Sequence, residues 1–340
     1  MDEHGLPEQD PRRRTMPAGH VLLAVFIGLV VASLLNAQGM HKQALSQGPG
    51  VGREIAGTLT AGLAGVSGIF QLDEPRILLK AALGRSGDDK LVGKLAISAS
   101  KPKVPVATTK PVFSATHPMR LYLTGDSLIT DPGPTLLDKI SNNPAIKPVS
   151  TTDAHAATGL VQPEIFNWFD YLPKQIKALK PDVTVATFGA NDGLGFTGVA
   201  GAEEFGSAAW LAEYRRRVSG VMDEMTAGGG RVVFLGLPIP RDPGLARRWQ
   251  QMNEIQQSEA AKRAGLVVWV DLFKKLADKN GHYSDYLPDS SGQQQLARSS
   301  DGIHYEPQGA TVVADAIIEA INQLVTVPGL GPVTPTPAAG

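Results

Sequence analysis

The chain has 340 residues, with 32 Lys and Arg against 33 Asp and Glu and a formal net charge of −1 at pH 7. Balanced, interspersed charge supplies neither a basic face for a nucleic-acid backbone nor a funnel for an acidic substrate. Cysteine is absent, which excludes disulfides, thiol nucleophiles and cysteine-ligated metal centres together and leaves the compartment open.

From the N-terminus, Arg12, Arg13 and Arg14 precede an uncharged apolar run at 21–35. With its flanks (18–38) this run approaches the ~20 residues that cross a bilayer. Cationic residues before the span place residues 1–17 in the cytoplasm and the rest outside. A cleaved signal peptide is the competing reading, but Leu35-Asn36-Ala37 lacks the small-x-small pattern, so an uncleaved anchor is expected. Residues 51–84 carry Ile55, Leu59, Leu63, Val66, Ile69 and Phe70 at mixed helical spacing, with glycine interruptions and Pro75. They read as a small helical juxtamembrane segment without chemistry. Residues 85–118 have the Lys-, Ser- and Pro-rich composition of a linker, and 327–340 read as a disordered tail by the same criterion.

Between them, 119–326 read as one compact domain. Strand-like apolar runs at 119–124, 146–150, 183–188, 231–237 and 266–270 alternate with helical patterns at 133–141, 163–179, 202–227, 245–264 and 307–324. Continuous apolar strands separated by amphipathic helices predict an α/β fold, a three-layer α/β/α sandwich around a five-stranded parallel sheet. Such sheets bind ligands at the carboxyl ends of their strands. Ser127 follows the first expected strand, Gly159 the second and Asn191 the third.

Each candidate signal is weak alone. Gly125-Asp126-Ser127 after a strand is also a common turn and helix cap. Asp301 and His304, three apart before a helix, allow the carboxylate to fold back onto one imidazole nitrogen, leaving the other to take a serine proton; a local Asx turn with an incidental histidine is the alternative. Gly189-Ala190-Asn191-Asp192 puts a carboxamide at a strand tip, and Gly159 lets a backbone N–H approach a ligand, as oxyanion stabilisation requires.

Together, Gly125-Asp126-Ser127, Gly159, Gly189-x-Asn191-Asp192 and Asp301-x-x-His304 stand in the order of the four blocks of the SGNH (GDSL-type) hydrolases, and the chain resembles that family over roughly 119–326. With its anchor, it looks like a membrane-anchored bacterial subgroup of unassigned function. The resemblance implies a flavodoxin-like sheet, Ser127 as nucleophile, His304 as general base and Asp301 as its orienter. It implies an oxyanion hole from the N–H groups of Ser127 and Gly159 and the side chain of Asn191. The first block continues Leu128-Ile129-Thr130-Asp131-Pro132-Gly133, unlike the Ser-rich plant-type members, so lipid-ester substrates do not carry over.

Gly193-Leu194-Gly195-Phe196-Thr197-Gly198 matches the dinucleotide fingerprint literally, but it does not open from its strand and the next strand lacks the acidic ribose ligand. Asp285, Asp289 and Asp301 are scattered and no paired-His spacing occurs, so neither a cofactor nor a metal site is expected. Among Phe166, Trp168, Phe169 and Tyr171, mostly core by spacing, one could floor a sugar subsite; Trp249 and Trp269 read as packing residues. The expected activity is extracytoplasmic serine-esterase hydrolysis of short O-acyl esters, with acylated cell-envelope carbohydrate as substrate. An O-acyltransferase on the same residues and an idle glycan-binding protein are the alternatives.

Overall fold

The computed structural model describes residues 17–45, 51–70, 109–196 and 199–331, with isolated positions between 72 and 78. The expected cytoplasmic segment 1–16, most of the linker (85–108) and the end of the tail (332–340) lie outside the described residues. The chain divides into two compact units, Met1–Asp89 and Lys90–Gly340.

The first unit is helical: α1 Ala18–Leu35, α2 Ala37–Leu45 and α3 Val51–Ile69. At 1.5 Å per residue, the 18 residues of α1 span about 27 Å, close to a hydrocarbon core of about 30 Å. None of its side chains is buried, and it is long and apolar enough to cross a membrane. Helices α2 and α3 pack together, with His41 Nδ1 and Thr60 Oγ1 3.1 Å apart. Ser67 Oγ donates to the Leu34 carbonyl at 2.8 Å.

The second unit contains β1 Met119–Gly125, α4 Pro132–Ile140, β2 Ile146–Pro148, β3 Asp153–Ala154, α5 Trp168–Leu179, β4 Val183–Thr187, α6 Ala208–Thr226, β5 Arg231–Leu235, α7 Pro243–Ala261, β6 Val267–Val270, the one-turn α8 Leu272–Lys275, the antiparallel pair β7 Tyr286–Pro288 and β8 Gln294–Leu296, and α9 Pro307–Leu324. The main sheet runs β2-β1-β4-β5-β6, all parallel, with β3 also paired to β1. Every residue of β4 and β5 is buried, as strands covered on both faces require. Helices α5, α6 and α7 pack in series as one layer, while α4 and α9 pack together as another. The three-layer α/β/α sandwich is therefore present, in flavodoxin-like order once β2 and β3 are taken as one interrupted edge strand.

The sheet has six strands where five are expected. After Pro148, Val149 still donates to Leu121 O at 2.9 Å; the chain then leaves the ladder and rejoins at Asp153, opposite Thr124. Gly159 thus follows β3. The 163–179 helix begins only at Trp168, because Asn167 caps it by accepting the Phe169 and Asp170 N–H groups. The 202–227 helix begins at Ala208, where Ser207 accepts the Trp210 N–H.

Two domain edges are also corrected. Phe113, within the expected linker, is buried and donates its N–H to Thr326 O at 2.9 Å. Val327 and Leu330, within the expected tail, are buried, with Asn143 and Asn322 donating to the carbonyls of Pro328 and Leu330. Pro/Gly-rich composition removes periodicity but does not stop single apolar side chains from seating on a core.

Candidate active site

The site grows from the carboxyl end of β1. Gly125 has φ +149°, and a β-carbon there would lie 2.3 Å from Thr187 O, so only glycine lets the chain leave the sheet against β4. Asp126 follows in extended conformation and caps a single 3₁₀ turn, Ser127–Ile129, accepting the Leu128 N–H at 3.0 Å. Its other oxygen accepts the N–H groups of Gly189 and Ala190 at 3.1 and 3.0 Å. A fully buried carboxylate thereby ties the Ser127 turn to the loop after β4. Burial pushes its pKa up to about 7 against the opposing effect of those backbone bonds.

His304 and Asp301 come from the loop before α9. Asp301 Oδ1 accepts the N–H groups of Ile303 and His304 at 2.8 and 3.0 Å and the Ser299 hydroxyl at 2.7 Å. Oδ2 lies 2.6 Å from His304 Nδ1. The local Asx turn and the imidazole pairing are both present, made by the two oxygens of one side chain. Partial burial raises the Asp301 pKa, but the bonds from His304, Ser299 and the backbone outweigh it and hold the carboxyl well below its usual range. A carboxylate only accepts, so Nδ1 carries the hydrogen and Nε2 is the acceptor. Ser127 Oγ lies 2.7 Å from that Nε2, across 177 residues of sequence.

Arg298 supports this loop from below, and sequence reasoning missed it. Only 1 % exposed, it donates to Ile239 O at 2.6 Å and Ile303 O at 2.7 Å, with a longer contact to His304 O. Its guanidinium lies 5.2 and 5.7 Å from the Tyr283 and Tyr305 ring centroids. A lone arginine carries no sequence signature for such a role; its partners are carbonyl oxygens, which every residue has.

Gly159 and Asn191 meet across the next loop. Asn191 Nδ2 donates one hydrogen to Thr158 O at 2.8 Å, leaving a second. The N–H groups of Ser127 and Gly159 have no acceptor within the described chain. Asp192, also missed as a site element, accepts the N–H groups of Leu160 and Val161 at 3.0 and 2.9 Å; burial pushes it up to about 6. Buried Arg217 donates to the carbonyls of the same two residues at 2.6 and 3.2 Å, so both edges of that peptide segment are held.

Other candidates fall elsewhere. Gly195 packs against the Glu203 carbonyl, where a β-carbon would lie 1.7 Å away, and Arg248 donates to Gly193 O; Thr197 and Gly198 lie outside the described residues. Trp168 and Trp249 are fully buried and Trp269 packs on the core. Asp285 pairs with Arg241 at 2.6 Å, and Asp289 holds its own turn through Ser291 and Gln293. No group of three or more His, Asp or Glu among the described residues is arranged to hold a metal ion.

A Ser–His–Asp hydrogen-bonded chain thus stands at the carboxyl edge of the parallel sheet in a three-layer α/β/α sandwich. Residues 120–320 match the family described as Protein of unknown function (DUF459), and the chain belongs to that family. No curated protein matches. Among solved structures, LAE5, an alpha/beta hydrolase enzyme from the metagenome of Lake Arreo, Spain, is similar at 13 % identity and TM-score 0.43, covering 61 % of this chain and 97 % of its own. A catalytic mutant of Axe2, an acetylxylan esterase from Geobacillus stearothermophilus, is 14 % identical at TM-score 0.42, covering 60 % and 94 %. TesA is 18 % identical at TM-score 0.43, covering 61 % and 99 %.

Proposed function

We propose that this protein is a membrane-anchored serine esterase that hydrolyses short O-acyl esters of cell-envelope carbohydrate. The observation that carries the acyl-transfer reading is the continuous chain Ser127 Oγ, His304 Nε2, His304 Nδ1, Asp301 Oδ2, at 2.7 and 2.6 Å. In this reading His304 takes the Ser127 proton as Oγ attacks the ester carbonyl. The oxyanion meets the N–H groups of Ser127 and Gly159 and the second Asn191 hydrogen. His304 then returns the proton to the leaving alkoxide, which departs as the alcohol. A water gives its proton to His304 and attacks the acyl-enzyme; the acid leaves as that proton returns to Ser127.

Helix α1 serves as the anchor. The arginines at 12–14 precede it, which supports a cytoplasmic N-terminus and an extracytoplasmic catalytic unit. An envelope ester is then the substrate within reach. The test is a fluorophosphonate probe together with a short-chain nitrophenyl ester. Wild type is expected to label and turn over. Ser127→Ala is expected to lose labelling and at least about a thousandfold of kcat/KM. Full turnover by Ser127→Ala would overturn the reading.

A further inference from the structure

A second histidine–carboxylate pair stands at the carboxyl end of β3, the short strand paired to the end of β1. Asp153, at the start of β3, accepts from Tyr122 Oη, from Tyr171 Oη at 3.1 Å to each of its oxygens, and from the His155 ring, whose Nε2 is 3.0 Å from Oδ1. Because the carboxylate only accepts, Nε2 carries the hydrogen, and in the neutral imidazole Nδ1 keeps its lone pair. Both tyrosines stay protonated donors: burial first, then the neighbouring Asp153, pushes Tyr171 up to about 12 and Tyr122 higher still. The imidazole stacks on Phe166 with 4.0 Å between centroids, and Trp168 and Tyr171 meet it edge-on at 5.2 and 5.0 Å. The ring is fixed in place and in tautomer, yet its side chain is 28 % exposed, and Nδ1 has no partner within the described chain.

Its position ties it to the reaction centre. The His155 N–H donates to Gly125 O at 2.9 Å, two residues before Ser127. The His155 carbonyl accepts the Thr158 hydroxyl at 2.6 Å, one residue before Gly159. Trp168 Nε1 donates to that same hydroxyl oxygen at 3.2 Å. Between them, Ala157 sits at φ +58°, a left-handed conformation that costs a non-glycine residue on the order of 1 kcal/mol. A core histidine that only fills space has no need of an unpartnered ring nitrogen on a partly exposed, immobilised side chain.

We infer that His155 determines specificity: Nδ1 accepts a hydrogen bond from a hydroxyl group on the alcohol portion of the ester, with the carbon face of that alcohol against Phe166 and Tyr171. A sugar ring has both features, C–H faces that pack on aromatic rings and hydroxyls that donate. A simple aryl or alkyl alcohol lacks the donor and leaves Nδ1 unpaired. The inference rests on the acyl-transfer reading of Ser127 and extends it to the leaving group.

The experiment measures kcat/KM of the full chain in detergent on a mono-O-acetylated methyl glucoside and on nitrophenyl acetate, in wild type, His155→Ala and His155→Asn. The glucoside-to-nitrophenyl ratio is expected to fall about tenfold in His155→Ala, chiefly through KM. His155→Asn, whose carboxamide oxygen stands as many bonds from Cβ as Nδ1 does, is expected to recover part of the ratio. An unchanged ratio, or equal losses on both esters, overturns the role of His155. Wild type inert towards both esters and towards the fluorophosphonate overturns the Ser127 reading instead.

Discussion

Gly159 lies so close to Asp192 that a β-carbon at residue 159 would sit 2.1 Å from Asp192 Oδ1. The same carboxylate accepts the N–H groups of the two residues after Gly159, so the close approach fixes where the Gly159 N–H stands. Gly159→Ala is expected to push this loop away from Asp192 and to misplace that donor. Removing one oxyanion donor costs about a hundredfold or more in kcat. Steady-state kinetics on a nitrophenyl ester, beside fluorophosphonate labelling of the same preparation, reads the loss. Wild-type kcat in Gly159→Ala would remove Gly159 from the hole.

Asp301 uses one oxygen for its own turn and the other for His304. Asn at this position keeps an acceptor for the turn but presents N–H groups to the imidazole. The hydrogen then moves to Nε2, which can no longer accept from Ser127. Asp301→Asn is expected to lower kcat/KM by roughly 10³–10⁴ in the folded protein. A loss below tenfold in a folded variant would show that Asp301 does not set the tautomer.

Asp126 has the opposite pH behaviour to Asp301. Its folded pKa rises from 3.8 to about 7, so between about pH 4 and pH 7 the folded state holds a proton that the unfolded chain has released. Stability from this group therefore falls as pH rises through that window, by on the order of 4 kcal/mol in all, and levels off above it. Asp301, held low, acts the other way: its contribution is present above about pH 4 and is lost as pH falls below it. Denaturant unfolding of wild type and Asp126→Asn separates the two, because Asp301 is common to both. The excess stability of wild type is expected to shrink from pH 4.5 to pH 7.5. A constant or growing excess would show that the Asp126 carboxyl is not held protonated by burial.

Much of the architecture was legible from the pattern of residues. Runs such as Val183–Thr187 and Arg231–Leu235 are apolar enough to need cover on both faces, which already specifies a parallel sheet between helix layers. The interruption after Pro148 was not legible, because the break depends on how β1 pairs with an edge strand and not on local propensity. Phe113, Val327 and Leu330 were hidden for a related reason: one apolar residue among prolines and glycines has no period to read.

At the site, the amino-acid sequence by itself determined which groups have the right chemistry and in what order they occur: Ser127 after a strand, Gly159, Asn191, and Asp301 three residues before His304. The Asp301–His304 contact is local and follows from that spacing. The tertiary structure alone decided that His304 reaches Ser127 and that Asp126, Asp192, Arg217 and Arg298 serve the loops. These are contacts between segments 31 to 177 residues apart, or bonds to backbone atoms, and the backbone is the same at every position, so no residue pattern announces them.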